Sequence, residues 1–227
     1  MKLNDSQIEA INHLRGRAIV HAGPGSGKTT VITMRVKKLI DDYGVDPSKI
    51  LVITFTKMAA AEMKERFLRL SGNSSLSVTF GTFHAVFFTI LKRAYNYSAQ
   101  NIIREEQQRE ITGRLLHKHE LEVEDENEFI SAVLGEISQV KSSMIDPSTY
   151  YSINCPENVF RSIYEEYERE LRKNRLIDFD DMLVYTYDLL RQRKDILAAW
   201  QNKYQYVLVD EFQDINRVQY DVVKMLA

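Results

Sequence analysis

The stretch AIVHAGPGSGKTT, residues 18–30, decides the fold. Its first five residues, 18–22, form a largely apolar run rich in β-formers, so they predict a buried strand. A glycine-rich turn follows, and after it apolar residues recur at helical spacing: Val31, Ile32, Val36, Leu39 and Ile40. Gly44 is placed to end that helix. The stretch therefore predicts a strand, a tight turn and a helix in direct succession.

Three further apolar runs predict strands, at residues 50–55, 76–80 and 206–209. Helical patterns separate the first three of the four predicted strands. Alternation of strand and helix is typical of an α/β fold with a parallel, doubly wound sheet. The fourth strand follows only after a long segment of a different kind.

That segment, residues 100–190, is acidic, poor in glycine and mostly helical by its periodicity. One apolar face is marked by Val159, Phe160, Ile163, Tyr164, Tyr167 and Leu171. Pro147 and Pro156 are expected to break the segment into separate helices. The acidic run at residues 120–128 is interpreted as a solvated helix end or loop. We therefore predict a sheet domain made of residues 1–99 and 191–227, interrupted by an all-helical subdomain at residues 100–190.

The composition fits a globular protein that works inside the cell. A chain of 227 residues with 44% hydrophobic residues can bury a sizeable core. Its only cysteine, Cys155, excludes an internal disulfide and fits a reducing compartment, so a cytoplasmic location is expected. Apolar runs of membrane-spanning length do not occur in the sequence, so no membrane partner is expected.

The charge is divided unevenly along the chain. Residues 1–100 carry 14 Lys and Arg against 7 Asp and Glu, while residues 101–227 carry 16 against 25. A basic section can meet a polyanion, but a net charge of -2 gives no independent argument for nucleic acid. The motifs have to carry that argument.

The glycine-rich turn matches a phosphate-binding loop of the GxxxxGK[ST] type, with Ala22 in place of the first glycine. Backbone N–H groups of such a loop surround an anion at the positive end of a helix. Lys28 is expected to reach the outer phosphates, and the Thr29 hydroxyl to bind Mg2+. The predicted nucleotide-binding residues here are Ala22, Gly23, Pro24, Gly25, Ser26, Gly27, Lys28, Thr29 and Thr30.

Two carboxylates, Asp210 and Glu211, directly follow the strand predicted at residues 206–209. They are expected at the carboxyl edge of the sheet, where ligands of open α/β sheets bind. Asp210 is placed to hold Mg2+, and Glu211 to orient the attacking water or accept its proton. The alternative is that both residues only cap the following helix.

Five stretches resemble the motifs of superfamily 1 helicases of the UvrD/Rep/PcrA branch. VLVDEFQD resembles motif II of that family, LNDSQIEAI its Q motif, ITFTKMAAAEMKER its motif Ia and GTFHAVFFTILK its motif Ib. RLIDFDDML resembles a stretch usually found shortly before motif II. The matches run from Leu3 to Asp214 in the family's order. They imply a RecA-like sheet with a helical insertion, and the use of ATP with Mg2+.

The resemblance also implies roles for single residues. Lys28, Asp210, Glu211 and Gln213 would be catalytic, with Gln213 sensing the γ-phosphate or its water. Gln7 would recognise adenine, because a carboxamide matches N6 and N7 of that base. For both glutamines the alternative is an ordinary exposed position on a helix.

Two groups of residues are implied to contact single-stranded DNA: Thr54, Phe55 and Thr56, and Thr82, Phe83 and His84. Hydroxyls suit phosphates, and aromatic rings suit packing or stacking on the strand. The alternatives are a plain strand end for the first group and a core position for His84.

The sequence departs from the family pattern at several places. Thr30 stands where an arginine is common, and Lys57-Met58 replaces the usual Asn-Lys. The acidic insertion gives no reason to expect a grip on duplex DNA. Three carboxylates, Asp178, Asp180 and Asp181, are explained by a helix start and are assigned no chemistry.

The resemblance implies the N-terminal ATP-binding part of a DNA helicase that moves along single-stranded DNA, in the 3' to 5' direction, and unwinds duplexes for repair, replication or recombination. Its expected partners are single-stranded DNA, single-strand/duplex junctions and a second motor domain of the same protein. Later family motifs are not seen before Ala227, so this chain is expected to be a fragment that binds Mg-ATP and hydrolyses it feebly. The alternatives are the front end of an AddA/RecB-type helicase-nuclease subunit, an ATP switch without motor activity, and an NTPase that never meets DNA.

Overall fold

The computed structural model describes residues 3–121 and 123–227. Met1 and Lys2, at the start of the predicted sheet domain, and Glu122, in the predicted acidic run, lie outside the described residues. The fold is α/β, as predicted. The strands are β1 (Ile50–Thr54), β2 (Thr79–Thr82) and β3 (Tyr206–Val209). The helices are α1 (Asp5–Asn12), α2 (Lys28–Asp41), α3 (Lys57–Ser71), α4 (Phe83–Tyr95), α5 (Glu105–Lys118), α6 (Glu126–Ser142), α7 (Glu157–Lys173), α8 (Phe179–Gln192), α9 (Lys194–Lys203) and α10 (Arg217–Leu226).

The three strands form one parallel sheet in the order β2-β1-β3. Every residue of the central strand β1 is buried, as expected for a strand of Ile, Leu and Val that is covered on both faces. Ile53 lies opposite Gly81 on one side and Val209 on the other. This register brings the residues that follow β1, β2 and β3 to the same edge of the sheet.

The prediction of a strand at residues 18–22 is wrong. Among the described residues this segment has no partner in the sheet, and the side chains of Ile19 and Val20 are 66% and 56% exposed. Its β-rich composition favours extended backbone, but a strand also needs a neighbouring edge. Residues 18–22 pair with neither of the two outer strands, β2 and β3, in the described part of the chain, so composition alone overestimated the burial of this segment.

The strand predicted at residues 76–80 is displaced along the chain. The pairing with β1 begins at Thr79 and ends at Thr82. Leu76 and Val78 instead reach the core from the loop before the strand. Apolar character predicted the burial correctly, whereas the register with β1 fixed the ends of the strand.

The chain divides into two compact units, and the first comprises Met1–Val86, Arg193–Ile215 and Val223–Ala227. Its core joins α2, α3 and β1, because their apolar faces meet at Val36, Leu39, Ile50, Val52, Met63 and Phe67. α2 ends as predicted: Gly44, with φ of 65°, donates its N–H to the carbonyl of Ile40. A left-handed residue after the last helical turn suits glycine.

The second unit comprises Phe87–Gln192 and Asn216–Val222. In its core, α7 contributes Phe160, Ile163, Tyr167 and Leu171, and these residues pack with apolar residues of α5 and α6. The predicted apolar face is therefore confirmed. Pro147 begins a short 3-10 turn and Pro156 directly precedes α7, so both prolines separate helices as expected. None of the helices in the described ranges combines the length and hydropathy that a membrane span requires.

Candidate functional site

The predicted phosphate loop is a tight turn that leads into α2. Gly25 and Gly27 have φ values of 72° and 84°, in the left-handed region that glycine adopts without steric cost. The N–H of Ser26 donates to the carbonyl of Gly23 across 3.3 Å. Ala22, Gly23, Pro24, Gly25 and Ser26 are exposed, and the loop is open to solvent.

The loop ends at the N-terminus of α2, whose first turn contains Lys28, Thr29 and Thr30. Gly27 is the N-cap residue, and it has no side chain that could satisfy the first N–H groups of the helix. Those donors and the helix dipole favour an anion at this place. The geometry therefore fits a bound phosphate group.

Lys28 meets Glu211 in this structure, although the two residues are 183 positions apart in the chain. The Lys28 ammonium donates to the Glu211 carboxylate across 2.9 Å. This hydrogen bond to Glu211 raises the pKa of Lys28. Hydrogen bonds from Gln213 and then Lys28 lower the pKa of Glu211. Both side chains are therefore charged at neutral pH.

Glu211 is held in an unusual backbone conformation directly after β3. Its φ of 49° and ψ of 46° lie in the left-handed region, which is uncommon for a residue with a side chain and costs on the order of 1–3 kcal/mol. The Gln213 amide donates to Glu211 across 2.7 Å and to Asp214 across 3.0 Å. The backbone conformation and the hydrogen bond from Gln213 together hold the Glu211 carboxylate beside the phosphate loop.

Asp210 is buried directly after β3, and its N–H donates to the carbonyl of Ile53 across 2.9 Å. Burial, followed by the charge of Glu211, raises the pKa of Asp210. A cation beside Asp210 would offset this crowding of negative charge. The hydroxyl of Thr29 and the Asp210 carboxylate are hard oxygen donors of the kind that Mg2+ prefers.

Gln7 links α1 to the phosphate loop. Its amide donates to the carbonyl of Ser26 across 2.9 Å, and its side-chain oxygen accepts the N–H of Asn4 in a capping box. A carboxamide retains one further N–H and one further lone pair after these bonds. The predicted recognition of adenine by Gln7 stays a prediction.

The six predicted DNA-contact residues lie at or just after the ends of β1 and β2, at the same edge of the sheet, but they differ in accessibility. Phe55 and Thr56 are exposed, and His84 is half-buried. Burial lowers the pKa of His84, which favours its neutral form. The other three, Thr54, Thr82 and Phe83, are buried.

One buried member of this group, Phe83, directly contacts an accessible one, Phe55. The ring of Phe83 packs against that of Phe55 with 5.5 Å between centroids. The Thr82 hydroxyl accepts the N–H of Ala85, and the Thr56 hydroxyl caps α3. The structure thus brings all six residues together, and a ligand could directly reach Phe55, Thr56 and His84.

Arg66 makes a contact with the predicted phosphate loop that the sequence did not indicate. It lies on α3, and its guanidinium donates to the hydroxyl of Thr30 across 3.2 Å. A cation therefore lies beside Thr30 even though an arginine is absent at position 30. Arg66 ends the ITFTKMAAAEMKER stretch, but its periodicity gave no sign of a contact with α2.

Comparisons with known proteins give a consistent result. The family described as UvrD/REP helicase N-terminal domain matches residues 3–227. A probable DNA helicase II homolog of Mycoplasma capricolum subsp. capricolum is 38% identical over 99% of this chain and 32% of its own length. The ATP-dependent DNA helicase PcrA of Leuconostoc citreum is 36% identical over 99% of this chain and 31% of its own length. The chain thus spans about a third of the length of the curated relatives it matches.

Proposed function

The chain belongs to the UvrD/REP helicase family, and from this membership we propose that it is the ATP-binding part of an ATP-dependent DNA helicase. In this proposal, ATP hydrolysis drives movement along single-stranded DNA and unwinding of duplexes, in the 3' to 5' direction. The observation that carries the proposal is the 2.9 Å contact between Lys28 of the phosphate loop and Glu211 after β3. It joins a phosphate-binding element to a candidate base for hydrolysis.

The nucleotide would lie along the phosphate loop, residues 22–30. Backbone N–H groups and the first turn of α2 would hold its phosphates. Thr29 and Asp210 would hold Mg2+, which supplies positive charge against the phosphate oxygens. Gln7 would read the adenine edge with its remaining donor and acceptor. The exposed loop and the left-handed Gly25 and Gly27 support this arrangement.

Lys28 and Glu211 would separate when the nucleotide arrives. A terminal phosphate carries more negative charge than one carboxylate, so it would attract the Lys28 ammonium away from Glu211. The released Glu211 carboxylate would then accept a proton from the attacking water. Gln213, which donates to the same carboxylate oxygen, would detect this change.

Single-stranded DNA would lie at the edge of the sheet where β1 and β2 end. Phe55 would pack or stack on the strand, and Thr56 and His84 would meet its backbone. Thr54, Thr82 and Phe83 are buried, so they would position Phe55, Thr56 and His84 without touching the DNA themselves. Residues 1–99 and 191–227 would form the RecA-like motor domain, and residues 100–190 its inserted subdomain. Further partners would be single-strand/duplex junctions and a second motor domain.

Binding of Mg-ATP to the chain tests the nucleotide site. Lys28→Ala is expected to weaken binding of a fluorescent ATP analogue at least about tenfold, because it removes a charged phosphate contact. The matched control is Lys38→Ala. Lys38 is on the same helix, has the same 30% side-chain exposure and makes a 2.9 Å ion pair of its own with Asp42. Equal effects of the two substitutions would contradict the proposed site.

An ATP switch without motor activity is the second candidate function, since it would use the same phosphate loop. It differs in that Glu211 would be dispensable for turnover. The contacts of Glu211 with both Lys28 and Gln213 favour a function in which ATP is hydrolysed.

A further inference from the structure

A concave aromatic site lies in the second unit and has no part in the functions proposed above. Its volume is about 330 Å³, and its walls are Tyr95, Tyr97, Arg175, Tyr185 and Asp188. We call it the tyrosine pocket. Its volume falls in the range typical of ligand sites, ~300–1,000 Å³, so it can hold one small planar group.

The walls of the tyrosine pocket are held in place by contacts among themselves. The rings of Tyr95 and Tyr97 meet edge to face, with 6.1 Å between centroids. The guanidinium of Arg175 lies 5.8 Å from the centre of the Tyr97 ring and donates to the Tyr95 carbonyl across 2.8 Å. Asn101 donates to the carbonyl of Arg175. Such preorganisation reduces the entropy that a ligand must remove on binding.

The pocket offers a ligand both aromatic surface and polar groups. Tyr95 and Arg175 are exposed, and Tyr97, Tyr185 and Asp188 are half-buried. Burial raises the pKa of Tyr97 and of Tyr185, so their phenols stay neutral near pH 7. Arg175 can only donate hydrogen bonds, and an ionised Asp188 can only accept them.

Aromatic surface beside a hydrogen-bond donor and an acceptor suits some classes of ligand better than others. A cation is disfavoured because the Arg175 guanidinium already lies at the Tyr97 ring. A purely apolar group would shield Arg175 and Asp188 from water without offering either side chain a hydrogen bond. A nucleobase satisfies the site, since it has flat faces for stacking and an edge with both donors and acceptors.

Basic residues beside the pocket suit the phosphates of a nucleic acid. Lys92 and Arg93 lie in the last turn of α4, which ends at Tyr95. The segment KRAYNY, residues 92–97, therefore places two positive side chains shortly before two tyrosines. Positive charge beside stacking rings is typical of proteins that bind single strands.

We propose that the tyrosine pocket holds an unpaired base of single-stranded DNA, as a contact additional to the one at Phe55, Thr56 and His84. The inference rests on the proposed function for the choice of DNA as the ligand. Tyr95 and Tyr97 supply the stacking faces, while Arg175 and Asp188 face the edge of the base.

Equilibrium binding of two fluorescent oligonucleotides tests the inference on the unmodified chain and its variants. One is oligothymidylate, and the other is an abasic strand of the same length and charge. Tyr95→Ala and Tyr97→Ala are expected to weaken binding of oligothymidylate at least about fivefold, the lower end of stacking strength, and to leave the abasic strand unchanged. Tyr97→Phe keeps the ring and is expected to bind as the unmodified chain does.

The control is Tyr151→Ala, which removes a 77% exposed tyrosine of the same unit and is expected to change neither affinity. Equal loss of both oligonucleotides in the pocket variants would mean that the tyrosines serve folding, and would overturn the inference. Unchanged affinity in Tyr95→Ala and Tyr97→Ala would overturn it while leaving the proposed function intact. If the unmodified chain bound neither strand, the DNA part of the proposed function would fail as well.

Photocrosslinking gives a second measurement that does not depend on the folding of any variant. A strand that carries 5-iododeoxyuridine is bound to the unmodified chain and irradiated, and the linked peptides are identified by mass spectrometry. We expect links at Tyr95, Tyr97 or Tyr185. Links confined to Phe55 and His84 would overturn the inference and support the proposed DNA edge alone.

Discussion

Glu211 combines the three properties that its proposed role requires. It follows a half-buried strand, its backbone is held in a left-handed conformation, and its carboxylate accepts hydrogen bonds from both Lys28 and Gln213. Strained backbone at a polar site is consistent with a position selected for chemistry rather than for stability. The lowered pKa keeps the carboxylate ionised, so it can accept a proton or orient water at neutral pH.

Glu211→Gln separates binding from hydrolysis. We expect phosphate release at saturating Mg-ATP to fall about 100-fold or more, because the amide cannot accept the proton of the attacking water. Binding of Mg-ATP should persist or tighten, because Lys28 no longer has a charged competitor for the phosphate. The control Asp214→Asn changes the neighbouring carboxylate that Gln213 also contacts, and turnover should be retained. Full turnover in Glu211→Gln would favour the ATP switch.

At the scale of elements, a buried charge cluster ties together three helices of the second unit. Lys141 of α6 lies 2.5 Å from Glu168 of α7, 2.7 Å from Asp178 and 2.8 Å from Asp181 of α8. Asp178 and Asp181 also exchange hydrogen bonds with each other's N–H at the start of α8. The predicted helix-start role of these aspartates is therefore correct, and the contact with Lys141 is an addition to it. The Lys141 ammonium takes the place that a metal ion would otherwise need to fill.

Lys141→Met is expected to destabilise the protein by about 3–5 kcal/mol, because it removes the buried cation from Asp178 and Asp181 and leaves Glu168 only its 3.6 Å pair with Arg172. Urea unfolding followed by circular dichroism measures the change. Lys118→Met is the matched control, since Lys118 makes a 2.7 Å ion pair with Glu166 but its side chain is 61% exposed, against 3% for Lys141. A surface pair contributes at most about 1 kcal/mol. Similar losses in the two variants would show that the cluster is not a buried unit.

The same cluster predicts a dependence on pH. Burial, together with the nearby charges of Asp178 and Glu168 and against that of Lys141, raises the pKa of Asp181 from 3.8 to about 7. Between these two values the folded state binds a proton at Asp181 that the unfolded state has lost. The contribution of this group to stability therefore falls as the pH rises through this window.

The asparagine of an Asp181→Asn variant cannot ionise, so this variant should not lose stability as the pH rises through that window. The quantity to compare is the free energy of unfolding of the Asp181→Asn variant minus that of the unmodified chain. We expect this difference to be larger at pH 8 than at pH 4 by at least about 1.4 kcal/mol, the equivalent of one pKa unit. Paired urea titrations at the two pH values give the result. A constant difference at both values would mean that Asp181 stays ionised in the folded protein throughout.

At the scale of the whole molecule, the sheet and the candidate site depend on segments far apart in the chain. β1 pairs with β3 across more than 150 positions, and the same pairing carries Asp210 and Glu211 to the phosphate loop. Contacts of such long range must overcome a large loss of chain entropy. The buried residues of β1 therefore carry much of the stability on which the site depends.

Two valines of similar local sequence test which segments belong to that sheet. Val52→Thr places a hydroxyl in the buried centre of β1 and should cost about 1–3 kcal/mol. Val20→Thr changes an exposed residue of the segment that was wrongly predicted to be a strand, and it should stay within about 0.5 kcal/mol. Urea unfolding compares the two variants. A large loss in Val20→Thr would mean that residues 18–22 are buried after all.

Local patterns in the sequence were enough to predict several features of this protein. They include the glycine turn that leads into α2, the end of that helix near Gly44, the apolar face of α7 and the strand at residues 206–209. Each depends on neighbours within about one or two helical turns or on a short apolar run, so the signal is contained in a short window. The motifs also pointed to Lys28 and Glu211 as candidates for one site, although their catalytic roles remain a proposal.

Tertiary structure alone decided which edges pair and which side chains are covered. The order β2-β1-β3 leaves residues 18–22 outside the sheet, and packing buries Thr54 and Phe83 while Phe55 stays accessible. The contact of Arg66 with Thr30, the cluster around Lys141 and the tyrosine pocket likewise join residues from separate elements. Composition fixes what a residue can bind, but its partner depends on the long-range packing of the chain, which no short window of sequence contains.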